Sequence, residues 1–166
     1  MRNLYSLQVY QKEHDEKYHA DICALPHPER IRHLVLHFAK YTGRLVDPGR
    51  QDKACLGQTL SDSFIIGLSM ANILSLNLDM EIQKCGLWFL PFKSQGVLKD
   101  FAFFGGIMAK ACESLDHMES HDYKKALTDG LLGIFIAIFS AEKKNRLDMR
   151  MLVANRWKEI EIKNIL

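Results

Sequence analysis

The chain has 166 residues, 48% hydrophobic and 25% charged, with 22 basic and 20 acidic residues and a formal net charge of +2. That length supports a single domain, residues 1–166, with a sizeable core. The near balance of charge, with no basic stripe interleaved with aromatics, gives no electrostatic case for a nucleic-acid partner or a membrane surface.

Apolar residues recur at spacings of three and four with no sustained alternation, so the expected class is all-α. The opening stretch soon runs into Gln11-Lys12-Glu13-His14-Asp15-Glu16-Lys17; it is expected to be a helix near 4–18 and not a signal peptide. Pro26 and Pro28 precede a helix near 28–46, with Ile31, Leu34, Val35, Phe38 and Leu45 on one face. Pro48-Gly49 breaks the chain before a helix near 56–76 that carries Leu60, Phe64, Ile65, Leu68, Ala71 and Ile73. A short helical turn is expected after Asp79. Gly86–Gln95 forms a bridge whose Leu87, Trp88, Phe89, Leu90 and Phe92 are expected to pack over the bundle or a pocket mouth. Helices near 96–118, 122–143 and 147–162 follow, the second of them starting at Ser120 or His121-Asp122. Asp79 and Asp148 suit cap or first-turn positions, where a carboxylate accepts free backbone N–H groups. The longest apolar run, Leu131 to Phe139, is too short to span a bilayer. Cys23, Cys55, Cys85 and Cys112 are widely separated and form no C-x-x-C pair, as expected of reduced thiols in a cytoplasmic protein.

The order of features recurs along the chain. Ala39-Lys40 and Ala109-Lys110 are each followed by a loop, then by Asp62 or Asp129 opening an apolar helix, then by Leu78-Asp79-Met80 or Leu147-Asp148-Met149. This predicts a bundle of five or six helices built from two tandem repeats, about 28–85 and 96–162, related by a near-twofold rotation with a site between them. Lys40 and Lys110 are then expected near Asp62 and Asp129 between packed helices.

Several side chains are candidates for chemistry. Asp62 and Asp129 are either helix-start dipole partners or, one turn deeper, oxygen ligands for Mg²⁺. Glu113, Asp116, His117 and His121 share a helix face by three- and four-residue spacing, a pattern that suits a divalent metal or a solvated helix end. His33 and His37 stand four apart with Lys40 three later, a spacing open to zinc, to phosphate contact or to plain packing. Glu16-Lys-Tyr-His19 is a single E-x-x-H where a di-iron bundle needs two. His14-Asp15 and His121-Asp122 match the His-Asp pair of helical metal phosphohydrolases, in polar contexts expected to be exposed. No P-loop, dinucleotide fingerprint or serine elbow occurs.

The segment Asp62-Ser-Phe-Ile-Ile-Gly-Leu-Ser-Met-Ala-Asn-Ile-Leu-Ser-Leu-Asn-Leu-Asp79 resembles the third helix of MazG-like nucleotide pyrophosphohydrolases, and His33 to Leu45 resembles the helix before it. The resemblance implies hydrolysis of an NTP to NMP and pyrophosphate, with Mg²⁺ held by carboxylates. On that pattern Asp62, Asp129 and Glu113 are the catalytic and metal-binding candidates, Asp116 a further metal ligand, and Lys40, Lys110 and His37 the substrate contacts. The family's E-E-x-x-E and E-x-x-D helices are not kept: Leu36, His37, Lys40, Thr59 and Asp62 stand in the first repeat, and Gly106, Ile107, Lys110, Ala126 and Asp129 in the second. A lysine at a metal-ligand position repels the cation by roughly 4 kcal/mol at intermediate dielectric. The expectation is therefore an altered metal site in a divergent hydrolase, acting as a monomeric pseudo-dimer or a homodimer. The alternative is a non-catalytic helical protein that binds a nucleotide or a protein partner.

Overall fold

The computed structural model describes residues 3–84, 94–120 and 122–164. Cys85, the aromatic part of the bridge from Leu87 to Phe92, and His121 lie outside the described residues. Within them the chain is all-helical: α1 (Leu4–Tyr18), α2 (Ala20–Cys23), α3 (His27–Val46), α4 (Lys53–Ile73), α5 (Leu78–Lys84), α6 (Val97–Asp116), α7 (Tyr123–Asn145) and α8 (Met149–Lys163), with a 3₁₀ turn at Pro48–Arg50. The five or six helices read from periodicity become eight, because α2 and α5 are too short to carry a periodic signal. No single described helix is long and apolar enough to cross a membrane.

Each long helix is bounded by its own chemistry. Pro28 in the first turn of α3 costs no hydrogen bond, since the early N–H groups of a helix have no partner. Asp52, Asp122 and Asp148 cap α4, α7 and α8, accepting from the backbone N of Cys55, Lys125 and Met151. Asp79 works differently. It lies in the first turn of α5, but its carboxylate accepts from Leu4 N and Tyr5 N at 3.1 and 2.9 Å and so caps α1 across space.

α4 is the axis of the fold, with α1, α3, α7 and α8 packed around it. It is buried on nearly every side, from Thr59 through Ile65 and from Gly67 through Ala71. α3 and α6 pack against each other and each against its following helix, closing a layered bundle over α4 and α7. Phe38, Phe64, Phe101, Phe135, Leu60 and Met108 form the fully buried centre. Each such side chain contributes roughly 1.5–3 kcal/mol by leaving water. Phe64 and Phe135 meet edge to face at 5.3 Å.

The α4–α5 and α7–α8 connections share one backbone form. Ser75 and Arg146 are left-handed, with φ of 55° and 49°. Leu76 N donates to Ala71 O at 2.9 Å, and Leu147 N donates to Glu142 O at 3.0 Å, the bond of a Schellman ending. Asn77 then accepts from Met80 N as Asp148 does from Met151 N. The register is therefore Leu76-Asn77-Leu78 with Leu147-Asp148-Met149, two residues from the Leu-Asp-Met match read in the sequence. In this register Phe64 corresponds to Phe135, Thr59 to Gly130, and Asp62 to Gly133 rather than Asp129.

Candidate functional site

A cavity of about 220 Å³ opens among α1, α2, α3, α4 and α8. One stripe of α3 supplies its charged wall, because residues three and four apart share a helix face: His33, His37, Lys40 and Arg44. Arg30 adds to that wall from an earlier turn, and Arg156 enters from α8. Leu34, Ile65, Ile66 and Ile160 give the cavity an apolar part, and Asp15 and Asp62 are its two carboxylates.

Asp62 is fully engaged. Arg44 Nη1 donates to Oδ2 at 2.7 Å and Arg156 Nε donates to Oδ1 at 2.5 Å, with only 7% of the Asp62 side chain exposed. Arg156 also donates to Glu159 at 2.8 Å. Burial works against the Arg156 charge, but the bonds to Glu159 and Asp62 raise its pKa on balance.

The histidines form a relay. Lys40 Nζ lies 3.1 Å from His37 Nδ1, and an ammonium can only donate, so Nδ1 accepts. Neutral His37 then carries its proton on Nε2, which faces His33 Nε2 at 3.2 Å. The Tyr41 hydroxyl lies 3.1 Å from Nδ1 on the other side. Burial lowers the His37 pKa to about 4, helped by the nearby charges of Lys40 and His33. Burial and Arg44 lower the Lys40 pKa, and burial pushes the Tyr41 hydroxyl and the Cys23 thiol up.

Asp129, Lys110, Glu113 and Asp116 do not line this cavity. Asp129 is half exposed on α7 and paired with Lys125 one turn earlier. Lys110 is exposed and pairs with Glu113 at 3.0 Å and Glu119 at 3.4 Å, not with Asp129. Asp116 pairs with Arg32 at 2.7 Å near the surface. Asp62, Asp129, Glu113 and Asp116 are thus not gathered into a metal cluster; each is neutralised by a neighbouring cation. Lys40 shares the cavity with Asp62, but the ion-pair partners of Asp62 are arginines.

At the second-half positions one cation of the wall remains, Lys110. In the α3–α6 register that matches Lys40 with Lys110, His37 becomes Ile107, Leu34 becomes Phe104 and Arg44 becomes Ser114. A Cβ on Gly133 would lie 2.2 Å from Phe104 Cδ1, so the Phe104 ring covers α7 at the position that the turn register pairs with Asp62.

Sequence reasoning passed over Arg44 and Arg156 and misjudged the burial of His14 and Asp15. Arg44 continues the spacing of His33, His37 and Lys40 and was legible there. Arg156 comes from the far end of the chain and gave no local signal. His14 and Asp15 were expected to be exposed, and both are buried. Asp15 Oδ1 accepts from Gln11 Nε2 at 2.7 Å, its Oδ2 accepts from Ser69 Oγ at 2.6 Å, and Gln11 Oε1 accepts from Trp157 Nε1 at 2.6 Å. Burial lowers the His14 pKa. Comparison of the chain with protein-family models, with curated proteins and with solved structures finds no match.

Proposed function

We propose that this chain binds a phosphorylated small molecule of the nucleotide class in the α3–α4–α8 cavity, without carboxylate-held Mg²⁺ and without the hydrolysis such a metal supports. The observation that carries the reading is the charge of the lining. Four fixed cations, Arg30, Lys40, Arg44 and Arg156, face two carboxylates, Asp15 and Asp62. Two arginines already occupy Asp62, so Lys40 and Arg30 remain for an anion. Leu34, Ile65, Ile66 and Ile160 offer an apolar bed for a planar group beside it.

On this reading the chain is two tandem MazG-like helix pairs, of which the first keeps a ligand cavity and the second serves the core. The shared left-handed turns support it, as does the meeting of Phe64 with its counterpart Phe135, since a residue on a twofold axis touches its own equivalent. Hydrolysis is the less favoured reading. Metal-assisted phosphoryl transfer requires acids convergent on a cation, and Glu113, Asp116 and Asp129 are exposed and individually paired.

The test combines calorimetric titration of nucleoside tri- and monophosphates with a pyrophosphate-release assay in Mg²⁺. Binding without turnover is expected, and Lys40→Ala should weaken it about ten- to hundredfold by removing a charge-assisted bond. Affinity should also rise as pH falls from 7.5 to 5.5. His37 has a pKa of about 4 in the free protein, and a bound phosphate raises it, so binding takes up a proton. His37→Gln should flatten that dependence. Absence of binding across the panel would remove the proposal, and fast turnover abolished by Glu113→Gln would restore the hydrolase.

A further inference from the structure

We infer that His14, Asp15 and His19 form a binding site for one transition-metal dication of the Zn²⁺ class, at the α1–α2 side of the cavity. The inference does not depend on what else the cavity binds.

The backbone brings the three together. Asp15 and His19 are four apart and share a helix face, but two residues five apart on a continuous helix point roughly 140° away from each other. The chain leaves the helix at His19, with φ −137° and ψ 41°, between α1 and α2. That break brings His19 to its partners, and one ligand atom from each of His14, Asp15 and His19 lies within 4.8 Å of the others.

A second observation points to a ligand. His14 is 4% exposed, and neither of its ring nitrogens has a hydrogen-bond partner. The Trp157 backbone pulls weakly on the charged form of the ring, outside hydrogen-bonding geometry. Buried polar atoms normally find partners, and leaving one without is costly. A metal bound at one nitrogen gives that nitrogen its missing partner.

The support for Asp15 is of the kind that metal ligands carry. Gln11 and Ser69 each donate to one of its oxygens, and Trp157 in turn fixes Gln11. Each carboxylate oxygen keeps a second lone pair for a cation. Two imidazoles and one carboxylate suit Zn²⁺ and its first-row neighbours, whereas Mg²⁺ and Ca²⁺ favour oxygen throughout. Three protein ligands leave a coordination position open. Asp15 and His19 also line the cavity, so that position is reachable from it.

The experiment uses the full chain without a histidine tag, stripped with chelator and titrated with Co²⁺ by visible absorption, then with Zn²⁺ in competition and with Mg²⁺. Uptake of one equivalent of Co²⁺, displaced by Zn²⁺ and not by Mg²⁺, is expected. His14→Gln and His19→Gln should each weaken binding at least hundredfold, and Ser69→Ala about tenfold. His19 is only half-buried, so His19→Gln decides the matter where circular dichroism shows His14→Gln to be unfolded. No stoichiometric uptake, uptake indifferent to His19→Gln, or equal preference for Mg²⁺ overturns the site.

Discussion

In the first half of the bundle Asp62 projects from α4 between Arg44 and Arg156; at the matching point of α7 there is Gly133, covered by the ring of Phe104. The helices that carry these two residues end in the same turn, with left-handed residues at Ser75 and Arg146. Their chemistry differs. One half holds a buried carboxylate in a cationic wall and leaves space beside it. The other replaces the carboxylate by no side chain at all and covers the position with hydrocarbon. The difference rests on a few positions in the turn and Lys40–Lys110 registers: His37 or Ile107, Arg44 or Ser114, Asp62 or Gly133.

The largest effect expected from breaking this contrast is at Asp62. Asp62→Ala leaves Arg44 and Arg156 facing each other with side chains only 26% and 20% exposed. Removing one member of a buried ionic group costs about 3–5 kcal/mol, and the lower end applies here because both guanidinium groups retain some water. Urea denaturation should show the loss as a lower midpoint with an unchanged slope. A variant as stable as the parent would mean that Asp62 is not an electrostatic keystone and that the halves differ less than their side chains suggest.

Gly133→Ala tests the other side and should cost less. The new Cβ would lie 2.2 Å from Phe104, so the ring must turn or the helices part, a strain of about 1–3 kcal/mol. The double variant Gly133→Ala, Phe104→Ala should lose less than the sum of the two single changes, because no ring atom is left to collide. A loss equal to that sum would point to backbone strain on α7 rather than to a collision with Phe104.

Much of the fold was legible because α3 and α6 each bury one clean stripe, Ile31, Leu34, Val35 and Phe38 in one, Phe101, Phe104, Met108 and Ala111 in the other. α1 was read as a helix but not as a functional one. Its buried positions, Leu4, Gln8, Gln11, His14 and Asp15, keep helical spacing while being almost all polar, so hydropathy does not mark them as interior. Gln8 shows what such a residue does. Its amide donates to Leu76 O at 2.8 Å and accepts from Leu78 N at 2.9 Å, fastening α1 to the α4–α5 turn. The cavity was legible only along α3. His37 and Lys40 were marked by spacing, but Arg156 joins Asp62 from 94 residues away, and no local pattern encodes that meeting.

The smallest effect is expected at Asp129, where sequence order alone had suggested a second buried ion pair. A match by residue type places Asp129 opposite Asp62; the turns at Ser75 and Arg146 place Gly133 there. The two alignments make opposite predictions for Asp129→Ala. If Asp129 were the true counterpart, its loss would strand a buried cation and cost kilocalories. It is instead 52% exposed and paired with Lys125 on the same helix, where water already solvates both groups. Ion pairs of that kind contribute about 0.3–0.5 kcal/mol, partly offset by alanine's better helix propensity. The melting temperature of Asp129→Ala should therefore stay close to that of the parent, and the small change should shrink further in high salt, where exposed pairs are screened. A drop comparable to that of Asp62→Ala would put the buried pair back at Asp129, shift the α7 register by one turn, and remove the contrast between Asp62 and Gly133.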